Sequence, residues 1–221
     1  MSDTTAPIPH TKSRAKLVFF LIFALLTVFV AYMKNRGVLD ASSPMAQHYQ
    51  PALRFLLVHG LFGALALAIG VLQLSNRLRA NYLKFHRAMG YVYIACVIVA
   101  APFALVVAAR IDSPSLVAAS GVQAFGWVAA TAIAFYCVRN GNIVQHRRWM
   151  IRGYAFAMVF TVARLLIPIP PILAMGNSGI EIVVWSAIAL AAFLPNVLLD
   201  WRSIASRPAT KQTMATALEY R

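Results

Sequence analysis

The stretch FLLVHGLFGALALAIGVLQL, residues 55–74, decides the fold. It holds no Lys, Arg, Asp or Glu, and a helix needs about 20 mainly apolar residues to cross the hydrocarbon core of a bilayer. Runs of the same kind occur at 17–33, 88–109, 116–138, 150–167 and 182–199. Composition agrees. The chain is 61% hydrophobic and only 12% charged, with a mean hydropathy of +0.71, which leaves too little polar surface for a soluble domain of 221 residues. The expected fold is all-α, an integral membrane bundle of six transmembrane helices, with spans two to five as the core and spans one and six flanking. It divides into an N-terminal tail (1–16), one membrane domain (17–200) and a short, polar C-terminal tail (201–221).

Charge gives the orientation. The chain carries 20 Lys and Arg against 6 Asp and Glu. Such a balance on a polar surface would suggest nucleic acid. Here the charges fall in short clusters between apolar runs, so nucleic acid is excluded. Lys12, Arg14 and Lys16 precede the first span, and Arg77, Arg79, Lys84 and Arg87 separate spans two and three. Arg139, Arg147, Arg148 and Arg152 separate spans four and five, and Arg202, Arg207, Lys211 and Arg221 follow the sixth. The other loops hold only Lys34, Arg36, Arg54 and Arg110. Basic residues mark cytoplasmic loops, which puts both termini in the cytoplasm and the protein in the bacterial inner membrane. The first run is long for a signal peptide and no A-x-A site follows it, so it reads as an anchor. Pro168, Pro170 and Pro171 end the fifth span because proline lacks the N–H, and MGNSG (175–179) reads as a turn. Cys96 and Cys137 lie inside apolar runs and outside any CxxC motif, which points to buried small residues and away from a disulfide or zinc site.

FHRAMGYVY (85–93) opens span three and QHRRWMIRGYAF (145–156) opens span five. Each places His-Arg at the basic edge and Gly-Tyr just inside. The two hairpins of spans two–three and four–five therefore read as a weak parallel repeat about an axis along the membrane normal. Chance recurrence of His-Arg beside a membrane helix gives the same pattern.

HGLFGALALAIGVLQLSNRLRANYLKFHRAMGYVY (59–93), the segment 126–165 with its HRRWMIR core, and PNVLLDW (195–201) together resemble one prokaryotic family of membrane proteins, the domain of unknown function 2306. The HRRWMIR segment is the most specific part. The resemblance implies a multi-pass helical membrane protein and implies no reaction.

Ionisable residues within spans are costly and tend to face the bundle interior. His59 shares a helix face with Gly63, Ala66, Gly70 and Gln73, a seam of small residues that lets helices approach closely. Arg164 lies in span five at the depth of His59, and no acidic residue lies deep in any span to neutralise it. His59, Arg164 and Gln73 are thus candidates for a ligand or proton site. A hydrogen bond from His59 to a carbonyl, and an Arg164 that snorkels outward, account for them equally. At the basic edge, His86 and His146 stand at equal depth. Two such imidazoles can ligate a b-type haem iron, with Arg87, Arg147 and Arg148 on the propionates. Interfacial anchoring to anionic lipid head groups, with Trp149 and Tyr154 in the aromatic belt, explains the same residues. Gln123 and Trp127 offer polar edges to a quinone or porphyrin, or hydrogen bonds between helices. Walker A, GxGxxG, HExxH and GxSxG motifs are missing, so hydrolytic and nucleotide-driven chemistry finds no support. Two functions remain open: a redox-linked protein that holds b-type haem or quinone, and a non-enzymatic assembly factor or small-molecule carrier. The partners are the bilayer, anionic head groups, and a quinone or a partner membrane protein.

Overall fold

A computed structural model of the chain describes residues 42–111 and 113–205, together with Phe29, Tyr32 and Asp40. The tail at 1–16, the residues beyond 205, and the first expected span apart from Phe29 and Tyr32 lie outside the described residues. Every regular element among the described residues is helical. These are α1 (Pro44–Tyr49), a 3-10 turn (Gln50–Ala52), α2 (Leu53–Gln73), α3 (Asn76–Asn81), α4 (Leu83–Ile111), α5 (Pro114–Arg139), α6 (Ile143–Leu166), α7 (Pro170–Ala174) and α8 (Asn177–Ala205). Five segments are long and apolar enough to cross a membrane: Ala46–Gln73, Leu83–Arg110, Pro114–Arg139, Ile143–Leu166 and Asn177–Trp201. Five of the expected six therefore fall among the described residues, and the run at 17–33 lies outside them apart from Phe29 and Tyr32. Backbone polar groups find no partner in lipid, which is why each long apolar segment closes its hydrogen bonds within itself as a helix.

The helices begin earlier than hydropathy alone implies, and polar caps start two of them. Ser113 accepts from the Leu116 N–H with Pro114 in the first turn, and Asn142 accepts from the Gln145 N–H. Gly141, at φ 75°, makes the reversal between α5 and α6. The fifth expected span thus starts at Ile143 instead of 150, and the third at Leu83 instead of 88. Both shifts bring His86 and His146 inside helices. At the far end of α6 the helix stops at Leu166, just ahead of Pro168, and Pro170 opens the short α7. The turn expected at 175–179 contracts to Met175 and Gly176 (φ 57°), and α8 starts at Asn177. α8 also runs on to Ala205, so the domain boundary expected at 200 falls within a helix.

α2, α4, α5 and α6 pack as a square in which α2 touches α4 and α6, and α5 touches the same two. One core cluster joins all four helices through Ala66, Tyr93, Val97, Ala100, Trp127, Tyr154 and Met158. A second joins α5 and α6 to α8 through Ala119, Val159, Ala163, Val184 and Ile188, so α8 flanks the square. The small-residue seam of α2 works as expected. A Cβ at Gly70 would sit 2.5 Å from the Tyr154 ring and 3.3 Å from Tyr93, so only glycine admits both rings there.

Candidate functional site

The ends of α2 and α5 and the starts of α4 and α6 meet at the end of the square that carries most of the arginines, here the basic end. A cavity of about 360 Å³ lies between them, lined by Gln73, His86, Arg87, Gly90, Tyr91, Tyr93, Ile94, Thr131, Phe135, Val138, Arg139, His146 and Met150. The two histidines that the sequence placed at equal depth therefore share one space.

Their ring nitrogens are partnered differently. His146 Nδ1 lies 2.8 Å from the Ala134 carbonyl. A carbonyl can only accept, so Nδ1 is the donor there. His86 Nδ1 is buried and has no hydrogen-bond partner among the described residues. A buried polar atom left so costs about 1–3 kcal/mol. The His86 backbone, by contrast, is held, because the Gln73 side-chain amide donates to its carbonyl at 3.1 Å.

The floor of the cavity is tightly bonded. The Trp127 indole N–H donates to the Tyr93 hydroxyl at 3.0 Å, and the Thr131 hydroxyl donates to the Trp127 carbonyl at 2.8 Å. Tyr93, Trp127 and Thr131 are all buried. Below them the Tyr154 hydroxyl donates to the Leu67 carbonyl at 3.2 Å.

The arginines of this end fall into two groups. Arg148 forms an ion pair with Asp200 on α8. Arg152 donates to Asn196 at 2.8 Å and covers the Trp149 ring at 4.8 Å. Arg79 on α3 donates to Asn76 at 2.9 Å, and burial together with the nearby charge of Arg147 pulls its guanidinium below the ordinary arginine range. Arg87 and Arg139 line the cavity instead, are exposed, and have no hydrogen-bond or ion-pair partner among the described residues.

The sequence-derived set thus divides. His86, Arg87 and His146 come together. Gln73 joins them at the basic end and leaves the His59–Arg164 group, because the α2 seam runs the length of the helix and carries its two polar residues at opposite ends. Arg147 and Arg148 do not line the cavity. At the opposite end, His59 Nδ1 donates to the Ala100 carbonyl at 2.9 Å, and Arg164 stands in the last turn of α6. Arg110 there donates to the Pro51 carbonyl at 3.1 Å, and Arg54 and Arg110 stand 4.7 and 4.8 Å from the Phe55 ring centre. Sequence reasoning missed Tyr93, Thr131 and Arg139. Tyr93 had a signal, since it follows His86 by two helical turns and so shares its face. No group of three or more His, Cys, Asp or Glu side chains able to hold a metal ion occurs among the described residues.

A square of long apolar helices around a polar cavity makes this a multi-pass helical membrane protein whose environment is the lipid bilayer. The chain belongs to the family described as predicted membrane protein (DUF2306), which it matches over residues 56–204, more than half its length. No curated protein and no solved structure matches it.

Proposed function

We propose that this is a redox-linked membrane protein that holds a quinone-type ring in the cavity at its basic end. The observation that carries the reading is that His86 and His146 line one cavity, with the His146 ring oriented by the Ala134 carbonyl and the His86 ring without a hydrogen bond among the described residues. A quinone carbonyl accepts a hydrogen bond from one imidazole N–H. The hydroxyl of the reduced ring donates to a bare imidazole nitrogen. A neutral imidazole offers one donor and one acceptor nitrogen, so a pair of histidines can serve both forms of the ring. Ile94, Phe135, Val138 and Met150 supply the apolar walls such a ring needs, and the volume falls within the range of about 300–1,000 Å³ common for small-molecule sites. Read as a parallel repeat, the hairpins α2–α4 and α5–α6 contribute one histidine each. The excess of arginine at this end supports a cytoplasmic location for it in a bacterial inner membrane, with both termini on that side.

The test is a titration of the purified chain with a short-chain quinone, followed by quenching of tryptophan fluorescence. Saturable quenching that weakens in His86→Phe and in His146→Phe is expected. Quenching unchanged by both substitutions overturns the reading.

One observation favours b-type haem in the same place: the Nδ1–H to carbonyl bond that orients His146 is how metal-bound histidines are commonly held. A porphyrin is larger than the cavity, which weighs against it. A Soret band in the purified protein that disappears in His86→Ala would replace quinone with haem. A colourless protein that binds no quinone would leave the assembly-factor or carrier role.

A further inference from the structure

The arginines at the basic end give the cavity a chemical preference of its own. A membrane protein collects arginine on one face whatever its function, so presence alone means little. What separates Arg87 and Arg139 is where they stand, since Arg77 and Arg147 also have no hydrogen bond or ion pair among the described residues but do not line the cavity. Arg148, Arg152 and Arg79 each spend their guanidinium on a protein partner. Arg87 and Arg139, on α4 and α5, border the cavity and have none among the described residues. No carboxylate among the described residues lines the cavity. Of those carboxylates, Asp200 is held by Arg148, Glu181 accepts from Ser113 at 2.6 Å at the opposite end of the bundle, and Asp40 accepts from Ser42. A half-apolar cavity bordered by two guanidiniums without a protein partner is positive at its rim and favours an anion within reach of both.

We infer that the molecule bound here is an amphiphile with an anionic head, its negative charge met by Arg87 and Arg139 and its apolar body by the cavity walls. This rests on the reading of the cavity as a ligand site and adds the charge of the ligand. Arginine suits the task because its planar fork matches carboxylate, enolate and phosphate oxygens. Two sources supply that chemistry: a free amphiphile with an ionised acid group, such as a ring-hydroxylated quinone, and the phosphate of a membrane lipid.

The experiment uses the full chain in nanodiscs of neutral phosphatidylcholine and two probes of nearly equal size. Hydroxynaphthoquinone is an anion at neutral pH, and its parent naphthoquinone is neutral. The anion is expected to bind about tenfold tighter, to weaken as salt rises, and to lose its advantage in the double variant Arg87→Gln/Arg139→Gln. Retained binding of the neutral parent shows that the double variant is folded. Equal affinity for the two probes in the unmodified protein overturns the anionic preference and leaves the ligand site standing. Failure of both probes to bind removes the site and the preference together. Doping the disc with phosphatidylglycerol then separates the sources. Displacement of the anionic probe from the unmodified protein assigns the site to a lipid phosphate. Undisturbed binding assigns it to a free amphiphilic anion.

Discussion

The floor and the mouth of the cavity are built on opposite terms. At the floor, Tyr93, Trp127 and Thr131 are buried and bonded to one another or to backbone, and Gly70 admits two aromatic rings at contact distance. At the mouth, His86 Nδ1 is buried without a partner, and Arg87 and Arg139 have no hydrogen bond or ion pair among the described residues. Polar groups in a bilayer are normally satisfied because nothing else there will satisfy them. A satisfied floor beneath an unsatisfied mouth separates the part that maintains the fold from the part that is available to a ligand.

The contrast can be broken most sharply at the floor. Gly70→Val drives a side chain into Tyr154, which cannot swing away without losing its bond to Leu67. A loss of about 1–3 kcal/mol is expected, read as a lower melting temperature in detergent. An unchanged melting temperature would mean that the floor is not close-packed. Next comes the mouth. His86→Phe removes an atom that makes no bond, so stability should hold or rise slightly, while quinone affinity falls about tenfold or more. A clear drop in stability with unchanged affinity would reverse the assignment of the two regions. Trp127→Phe deletes one buried hydrogen bond and should cost about 1 kcal/mol, with little change in affinity. The smallest effect is expected outside both regions. The Arg148–Asp200 pair is partly exposed, so a double-mutant cycle on Arg148→Ala and Asp200→Ala should return a coupling of about 0–1 kcal/mol.

Much of this was legible in the sequence, and the reasons differ from residue to residue. The long helices were legible because the bilayer imposes length and apolarity together, as residues 55–74 show. Their starts were not, because Ser113 and Asn142 are polar caps that hydropathy counts against a span. That His86 and His146 stand at one end of the bundle was legible from the two His-Arg motifs at the basic edges of their helices. The fate of the arginines was not. Arg87, Arg147 and Arg148 look alike in sequence, and only the packing of α8 separates the one that meets Asp200 from the one that faces the cavity. Gln73 was assigned with His59 because they share a helix face. A shared face does not fix depth, and the length of α2 carries the two side chains to opposite ends.

The single bond from His146 to Ala134 also bears on selectivity. It fixes one imidazole in orientation, while the His86 ring has no hydrogen bond among the described residues. On the reading proposed above, the cavity would offer a ligand one anchored contact and one that no hydrogen bond pre-sets. Such a site would select by the kind of head group presented more than by its outline, and would accept a series of related molecules where two anchored rings would admit one.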